Sequence, residues 1–431
     1  MNGDPHRRWS ARAEQARTLM AAVERVVEEG HPADVFVTSE FRRHREWGSR
    51  DRRLLSRLVF GAFRWRGWLG RYADRGDRVL IGAHLLESTE SHPVIETMIR
   101  AIGSDPAGLA PLGDQSLEDK AVGIAPLLEG HAPSWRDLMP CWVSSELAVP
   151  PNTDPSAHHR RCVESFQRRP PLWLRAVGVS GEDLAQRLVS VGYEAAPHAS
   201  LKEAVAVPSD RPHLPTLEKA IGPCFEVQDL ASQAVVVGSA PSAGERWWDM
   251  CGGAGGKALD LASFDTRVWV SDIRPSALAE ARRRCRRIGE DRIETFVHEA
   301  TTPLPAGTTF DGVLVDAPCS GLGTWSRRPD ARWQTDPAGI PNRARMQEAI
   351  LNNAARHVRP GGRLVYAVCT LTRQETMDVA ERFSLTHPSF VPEPGPHPLD
   401  PAQIAWPIWI WPWQGPCGGM FIARWRSRED G

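Results

Sequence analysis

The second half of the chain, from Phe225 onward, alternates short apolar runs with helical ones, and this limits the possible folds more than any other feature of the 431 residues. "RWWDMCGG", "RVWVSDI", "ETFVHEA", "FDGVLVDAP" and "RLVYAVCT" read as strands, and "ALAEARRRCRRIG" and "MQEAILNNAARHVRPGG" as helices. Such alternation predicts a doubly wound α/β sheet with helices on both faces. Ligands of such sheets bind at the carboxyl ends of the strands. The residues with chemistry fall there: Cys251 follows one strand, Asp272 ends the next, Glu299 the third, Asp316 the fourth, and Cys369 the strand after the "RPGG" turn.

A chain this long exceeds one ordinary core, so two or three domains are expected. "ARAEQARTLMAAVERVVEEG" carries Leu19, Ala22, Val23, Val26 and Val27 at helical spacing and stops at Gly30. "DRRLLSRLVFGAFRWRGWLGRYAD" reads as a second helix opened by Asp51, with Leu54, Leu55, Leu58, Val59 and Ala62 on one face. Between Arg42 and Arg71 stand ten arginines against two acids, interleaved with Trp47, Trp65 and Trp68. Cations beside aromatics suit a polyanion that carries bases; a solvated helix face with inward tryptophans suits the pattern equally. Residues 76–150 read as uneven helix, and 148–161, rich in Pro, Asn and Asp, as a linker. "RRPPLWLRAVG", "LAQRLVSVGYEAAPH" and "AVAVPSD" then read as strand, helix and strand of a small α/β module.

No apolar run reaches the roughly 20 residues that span a membrane. The N-terminus lacks the apolar core of a signal peptide. The eight cysteines show neither C-x-x-C pairs nor metal-ligand spacing, so reduced thiols of a cytoplasmic, metal-free protein are expected.

"DMCGGAGGKALDLA" is a strand, a glycine-rich turn and a helix start. Glycines admit a ligand close to the backbone, and helix-terminal N–H groups hold carboxylate or phosphate. It is not a nucleotide P-loop, because Cys251 and Ala258 stand where that motif needs Gly and Ser or Thr. A structural turn is an equal alternative for this loop alone. Asp272 could accept bonds from ribose hydroxyls or cap the helix of "RPSALAEA". Loop and acid together favour a nucleoside-containing cofactor. A free cysteine is usually a small buried hydrophobe, but Cys319 and Cys369 sit at strand ends facing the ligand crevice, where a thiolate can act as nucleophile.

"DAPCSGLGTWSRRPDARW" and "GGRLVYAVCTLTRQE" resemble the fourth and sixth motifs of the Nop2/Sun family of RNA cytosine-C5 methyltransferases. "VQDLASQAVV" is similar to the segment that opens the family's catalytic domain, and "RRPPLWLRAVG" to its small leading subdomain. "DRRLLSRLVFGAFRWRGWL" resembles the NusB-like helical domain of the ribosomal-RNA, RsmB-type branch. The resemblance covers most of the chain except about 80–145. It implies a NusB-like all-α RNA-binding domain (1–147), a small α/β subdomain (160–225) and a Rossmann-like class I methyltransferase domain (226–431).

By family position Cys369 is the nucleophile that adds to cytosine C6, and Cys319 helps resolve the adduct. Asp316 would hold the base near N3 and its amino group, and Lys257 would sit by the base or the methionine end of the cofactor. The implied cofactor is S-adenosylmethionine, held by Cys251, Gly252, Gly253, Ala254, Gly255, Gly256 and Lys257, with Asp272 at the ribose, Glu299 near adenine and Asp316 near methionine. Arg327, Arg328 and Arg332 would contact phosphates around a flipped-out base. The implied partner is RNA, small-subunit (16S) ribosomal RNA first and transfer RNA second, and the protein is taken as a monomer. A non-catalytic RNA-binding or ribosome-assembly factor is the other reading. The sequence departs from the family in "CGGAGGK" for C-A-A-P-G-G-K, "VCT" for T-C-S, Glu299 for Asp, Arg284 for Asn, and "PWQGPCGGMFIARW" for a closing H-x-x-D-G-F-F segment.

Overall fold

A computed structural model describes residues 5–72, 76–208 and 212–429. The first four residues, and the ends of two segments read above (Ala73 and Asp74; Ser209 and Asp210), lie outside the described residues. The chain divides into two units: Met1–Ser145 with Pro151–Arg168 and Trp325–Thr335, and Glu146–Pro150 with Arg169–Thr324 and Asp336–Gly431. No helix among the described residues is long and apolar enough to cross a membrane.

The first unit is helical. Its longest helix, Pro5–Glu28, buries Ala13, Ala16, Leu19, Met20, Val23 and Val27. It ends where Gly30 turns to φ 85° and His31 N–H reaches back to the Val26 carbonyl, a glycine stop. The second predicted helix spans Ser49–Arg64 and starts at Gly48, whose N–H donates to the Asp51 carboxylate. Trp47, Trp65 and Trp68 are all buried in this unit's core. Their indoles are therefore unavailable for stacking on bases, which corrects that half of the polyanion reading. The expected linker also changes. Pro155–Phe166 is a helix, because Asp154 caps it through Ala157 N–H and Pro155 takes the first turn, where no N–H is needed.

The second unit holds two main sheets. The smaller contains β1 (Leu172–Ala176), β2 (Ala196–Pro197), β3 (Ala204–Val207) and β4 (Phe225–Val227) in the order β2-β3-β1-β4, all antiparallel. The larger contains β5 (Arg246–Asp249), β6 (Arg267–Asp272), β7 (Ile293–Val297), β8 (Phe310–Asp316), β9 (Val358–Val368) and β10 (Phe390–Pro392). A hairpin of β11 (Gly395–His397) and β12 (Asp400–Ala405) leads to β13 (Ile408–Ile410) and β14 (Met420–Ser427). The large sheet runs β10-β14-β9-β8-β5-β6-β7, with β13 on β14. β5 to β9 are mutually parallel, and β14 closes on β9 antiparallel.

Alternate side chains point to opposite faces, and both faces are apolar. Trp247, Val268, Val270, Leu314, Val365 and Ala367 pack on one side; Trp248, Val313, Val315, Leu364, Tyr366 and Val368 pack on the other. Both tryptophans are fully buried, and truncating either would cost on the order of 3–5 kcal/mol. The chain runs outward from β5 through β6 to β7, then returns to β8 on the other side of β5. That reversal is the switch point where doubly wound sheets bind ligands.

Candidate active site

The glycine loop leaves β5 at this switch point. Gly252 N–H donates to the Ser271 carbonyl (2.9 Å), and Gly253 N–H to the Asp272 carboxylate (3.0 Å). A Cβ on Gly252 would lie 2.5 Å from Val270 Cγ1, and Gly253 has φ 54°. Only glycine lets this backbone lie against β6. Asp249, fully buried at the end of β5, meets no side-chain donor among the described residues. Burial, and then the charge of Asp316, push its carboxyl up to about 7. Burial and the nearby carboxylates also push the Cys251 thiol up, so it stays protonated.

Asp272 ends β6 as expected. Burial favours its neutral form, but bonds from Arg274 and Gly253 outweigh this and hold its carboxyl below the usual range. Its oxygens accept from Arg274 N–H (2.8 Å), Arg274 Nε (2.9 Å) and Arg274 Nη2 (3.1 Å). Asp272 does not cap the helix Pro275–Ile288, whose N-cap residue is Arg274. Glu299 lies two residues beyond β7, exposed, and accepts from Thr301 Oγ1 (3.1 Å).

Sequence reasoning missed what Arg284 does. Its Nη1 donates to the Ala254 carbonyl of the glycine loop (2.9 Å), and its Nε to buried Glu226 (2.9 Å). The helix that carries Arg284 thereby fastens the loop. Nothing but the long arginine arm, read beside a loop without proline, signalled this.

Lys257, in the first turn after the loop, donates to Asp316 at 2.6 Å. Burial works against its charge, yet Asp316, Asp249 and Cys369 outweigh burial and raise its pKa. Cys319 and Cys369 come together with Sγ–Sγ 3.4 Å. The hydrogen bond to Cys369 comes first among the causes that push the Cys319 thiol well up, followed by burial and the charges of Cys369 and Glu375. The two sulfurs therefore differ. An ammonium acts on Cys369, and a carboxylate acts on Cys319.

Three loops knit this end of the sheet. Gly323 N–H donates to the Cys369 carbonyl (3.0 Å), and Gly419 N–H to the Gly323 carbonyl (2.7 Å). A Cβ on Gly323 would lie 2.1 Å from the Gly419 oxygen. The closing segment "GGM", different from the family pattern, thus still packs on the fourth-motif loop.

The expected phosphate contacts divide. Arg327 and Arg328 are half-buried, with Arg328 3.8 Å from Asp330. Arg332 is 0% exposed. Its guanidinium donates to the carbonyls of Leu138 (2.9 Å), Phe166 (3.2 Å) and Arg64 (3.3 Å), all in the helical unit. A side chain enclosed in this way cannot reach a phosphate, so the RNA-binding expectation for Arg332 is corrected to a structural one.

Residues 236–426 match the family described as 16S rRNA methyltransferase RsmB/F. These residues, under half of the chain, are similar to that family. Relatives named Ribosomal RNA small subunit methyltransferase B, from Escherichia coli O6:K15:H31 and Citrobacter koseri, are each 28% identical; they cover 82% and 83% of this chain and 86% and 87% of their own lengths. A crystal structure of PH0851 superposes with TM-score 0.74 at 19% identity, over 95% of this chain and 98% of that one. A methyltransferase homologue from Pyrococcus horikoshii gives TM-score 0.53 at 23% identity, over 62% and 90%. The fold is that of a Rossmann-like methyltransferase with an all-α N-terminal region. S-adenosylmethionine is the group that the resemblance to methyltransferases implies for this region. The glycine cradle, the acid ending β6 and the buried carboxylate at the switch point fit that group.

Proposed function

We propose that this chain methylates carbon 5 of a cytosine in RNA, with small-subunit ribosomal RNA as the substrate class. The carrying observation is the pair of sulfurs 3.4 Å apart, beside the Lys257–Asp316 ion pair. The names of the family and of the curated relatives support ribosomal RNA over transfer RNA. Retention of Cys319, Cys369, Asp316 and Lys257 argues against a non-catalytic assembly factor.

Cytosine C5 is a weak nucleophile. Cys369, favoured as a thiolate by the Lys257 ammonium, adds to C6, and the displaced ring electrons gather at C5. Bound S-adenosylmethionine supplies an electrophilic methyl group for C5 to take. Asp316 holds the base at N3 and the amino group, where charge changes on addition. After the C5 proton has left, the C6–S bond breaks and returns its electron pair to Cys369, with Cys319 assisting this release. Gly252 to Lys257, with Cys251, line the cofactor cradle; Asp272 exchanges the exposed Arg274 guanidinium for ribose hydroxyls, and Glu299 lies toward adenine. In that exchange the Arg274 head, 67% exposed, returns to water while the buried Asp272 carboxylate keeps hydrogen-bond donors. Arg327 and Arg328 remain the proposed phosphate contacts.

Cys319→Ala should trap a protein–RNA adduct that survives denaturing electrophoresis. Absence of the adduct would remove the release role from Cys319. Failure to bind S-adenosylmethionine at millimolar concentration would favour the assembly-factor reading instead.

A further inference from the structure

Both cysteine loops converge on one buried carboxylate that the mechanism above does not use. Glu375 follows β9 in the turn after Cys369 and is 0% exposed. It accepts from the backbone N–H of Ser320 (2.8 Å), from Gln347 Nε2 (3.1 Å) and from Thr372 Oγ1 (2.8 Å). Gln347 Nε2 also donates to the Pro318 carbonyl (2.8 Å). The two neighbours of Cys319 are therefore fastened to the same network, one by its carbonyl and the other by its N–H. Ser320 Oγ lies 2.7 Å from Thr370 Oγ1, and Thr370 is the neighbour of Cys369. The Tyr366 hydroxyl reaches the Glu375 carbonyl (2.7 Å) and Gln347 Oε1 (3.0 Å) from β9.

We infer that Glu375 is a positioning residue: through its bonds to Ser320, Gln347 and Thr372 it sets the spacing of the two cysteine loops, and it places a carboxylate on the Cys319 side of the sulfur pair. Burial of an ion is expensive unless hydrogen bonds satisfy it, and three donors do so here. An enclosed negative charge acts on its neighbours with little screening. Cys369 and Glu375 act on Cys319, and Cys319 in turn acts on Tyr366. Lys257 and Cys369 act on each other. The asymmetry between two otherwise similar thiols thus has two sources, one on each side of the pair.

The inference rests on the two-cysteine reading, but its deciding measurement, the order of alkylation, needs neither RNA nor cofactor. Alkylation by iodoacetamide is followed by mass spectrometry at each cysteine across pH, in cofactor-free protein. In the parent chain Cys369 should react first. Glu375→Gln keeps the shape and an acceptor oxygen but loses the charge. It should shift the Cys369-to-Cys319 ratio toward Cys319, because the thiolate is the form that alkylates. Gln347→Leu keeps the charge while removing three hydrogen bonds of the network, so it should preserve the order of alkylation yet lower methyl transfer. An unchanged ratio in Glu375→Gln, or a reversed order in Gln347→Leu, overturns the inference. Retained activity in Cys369→Ala would instead remove the two-cysteine reading and leave the alkylation result standing, so the two failures are distinguishable.

Discussion

Asp316–Thr324 and Trp325–Thr335 are consecutive in the chain, yet they belong to different units. The first stretch ends β8, carries Cys319 and is tied by Gly323 to the carbonyl of Cys369. The second completes a helical core. Asp330 accepts from Ala33 N–H (3.1 Å), Trp333 Nε1 donates to the Phe63 carbonyl (2.7 Å), and Gln334 donates to the Val27 carbonyl (2.8 Å). One unbroken motif thus carries the proposed chemistry in its first half and architecture in its second. Arginines beside a cysteine of the proposed site need not meet a substrate.

The sharpest way to break this contrast is to exchange the consequences of mutation. Cys369→Ala should lower methyl transfer by at least about a thousandfold, the scale of losing a covalent nucleophile, while thermal unfolding stays unchanged. Measurable activity in that variant would remove the sulfur-pair chemistry, and with it the role proposed for Cys319 in the first half. Next in size is an opposed response of the two units to acid. Burial is the largest cause that raises Asp249, in the catalytic unit, from 3.8 to about 7, so its stabilising contribution is complete below 3.8 and is lost as pH rises toward 7. Burial likewise lowers His84, in the helical unit, from 6.5 to about 4, so its contribution is complete above 6.5 and is lost as pH falls toward 4. Each is worth a few kcal/mol, on the order of 1.4 per pKa unit. Hydrogen exchange at pH 5 and pH 7 should show acid protecting the catalytic unit and loosening the helical one, with Asp249→Asn and His84→Gln flattening the respective trends. Parallel movement of the two units would contradict this.

Arg332→Met should cost about 2–3 kcal/mol, because it strands buried carbonyl oxygens, and it should show as a lower melting temperature of the helical unit. Cofactor binding should stay within a few-fold of the parent. A loss of cofactor binding without loss of stability would erase the division between the halves. The smallest effect belongs to Arg284→Ala. Losing one charge-assisted bond to the Ala254 carbonyl should weaken S-adenosylhomocysteine binding roughly tenfold, measured by calorimetry. Ala254→Pro in the same background should recover part of that loss by restricting the loop.

The sheet was legible because strands buried on both faces read as apolar runs. The places of Asp272, Asp316 and Cys369 at strand ends were legible from the same apolar runs. Arg332 was not, since its acceptors lie on residues 166 to 268 positions away in the chain. Nor was Glu375, a polar residue in a polar turn whose burial depends on Gln347 of a distant helix. Asp154-Pro155 misled because the same pair suits a linker and a helix start. Trp47, Trp65 and Trp68 fitted either a base platform or a core, and only packing separates those.

The excursion of Trp325–Thr335 also bears on how such a protein can be cut or recombined. A polypeptide beginning after Arg168 would retain every cysteine-loop residue but carry an orphaned span with two tryptophans and an enclosed guanidinium that have lost their hosts. Such a fragment would invite aggregation, and its partner, ending at Arg168, would be missing part of its own interior. Domain shuffling by simple fusion at that boundary is therefore closed to this architecture, and the two units are inherited as one piece.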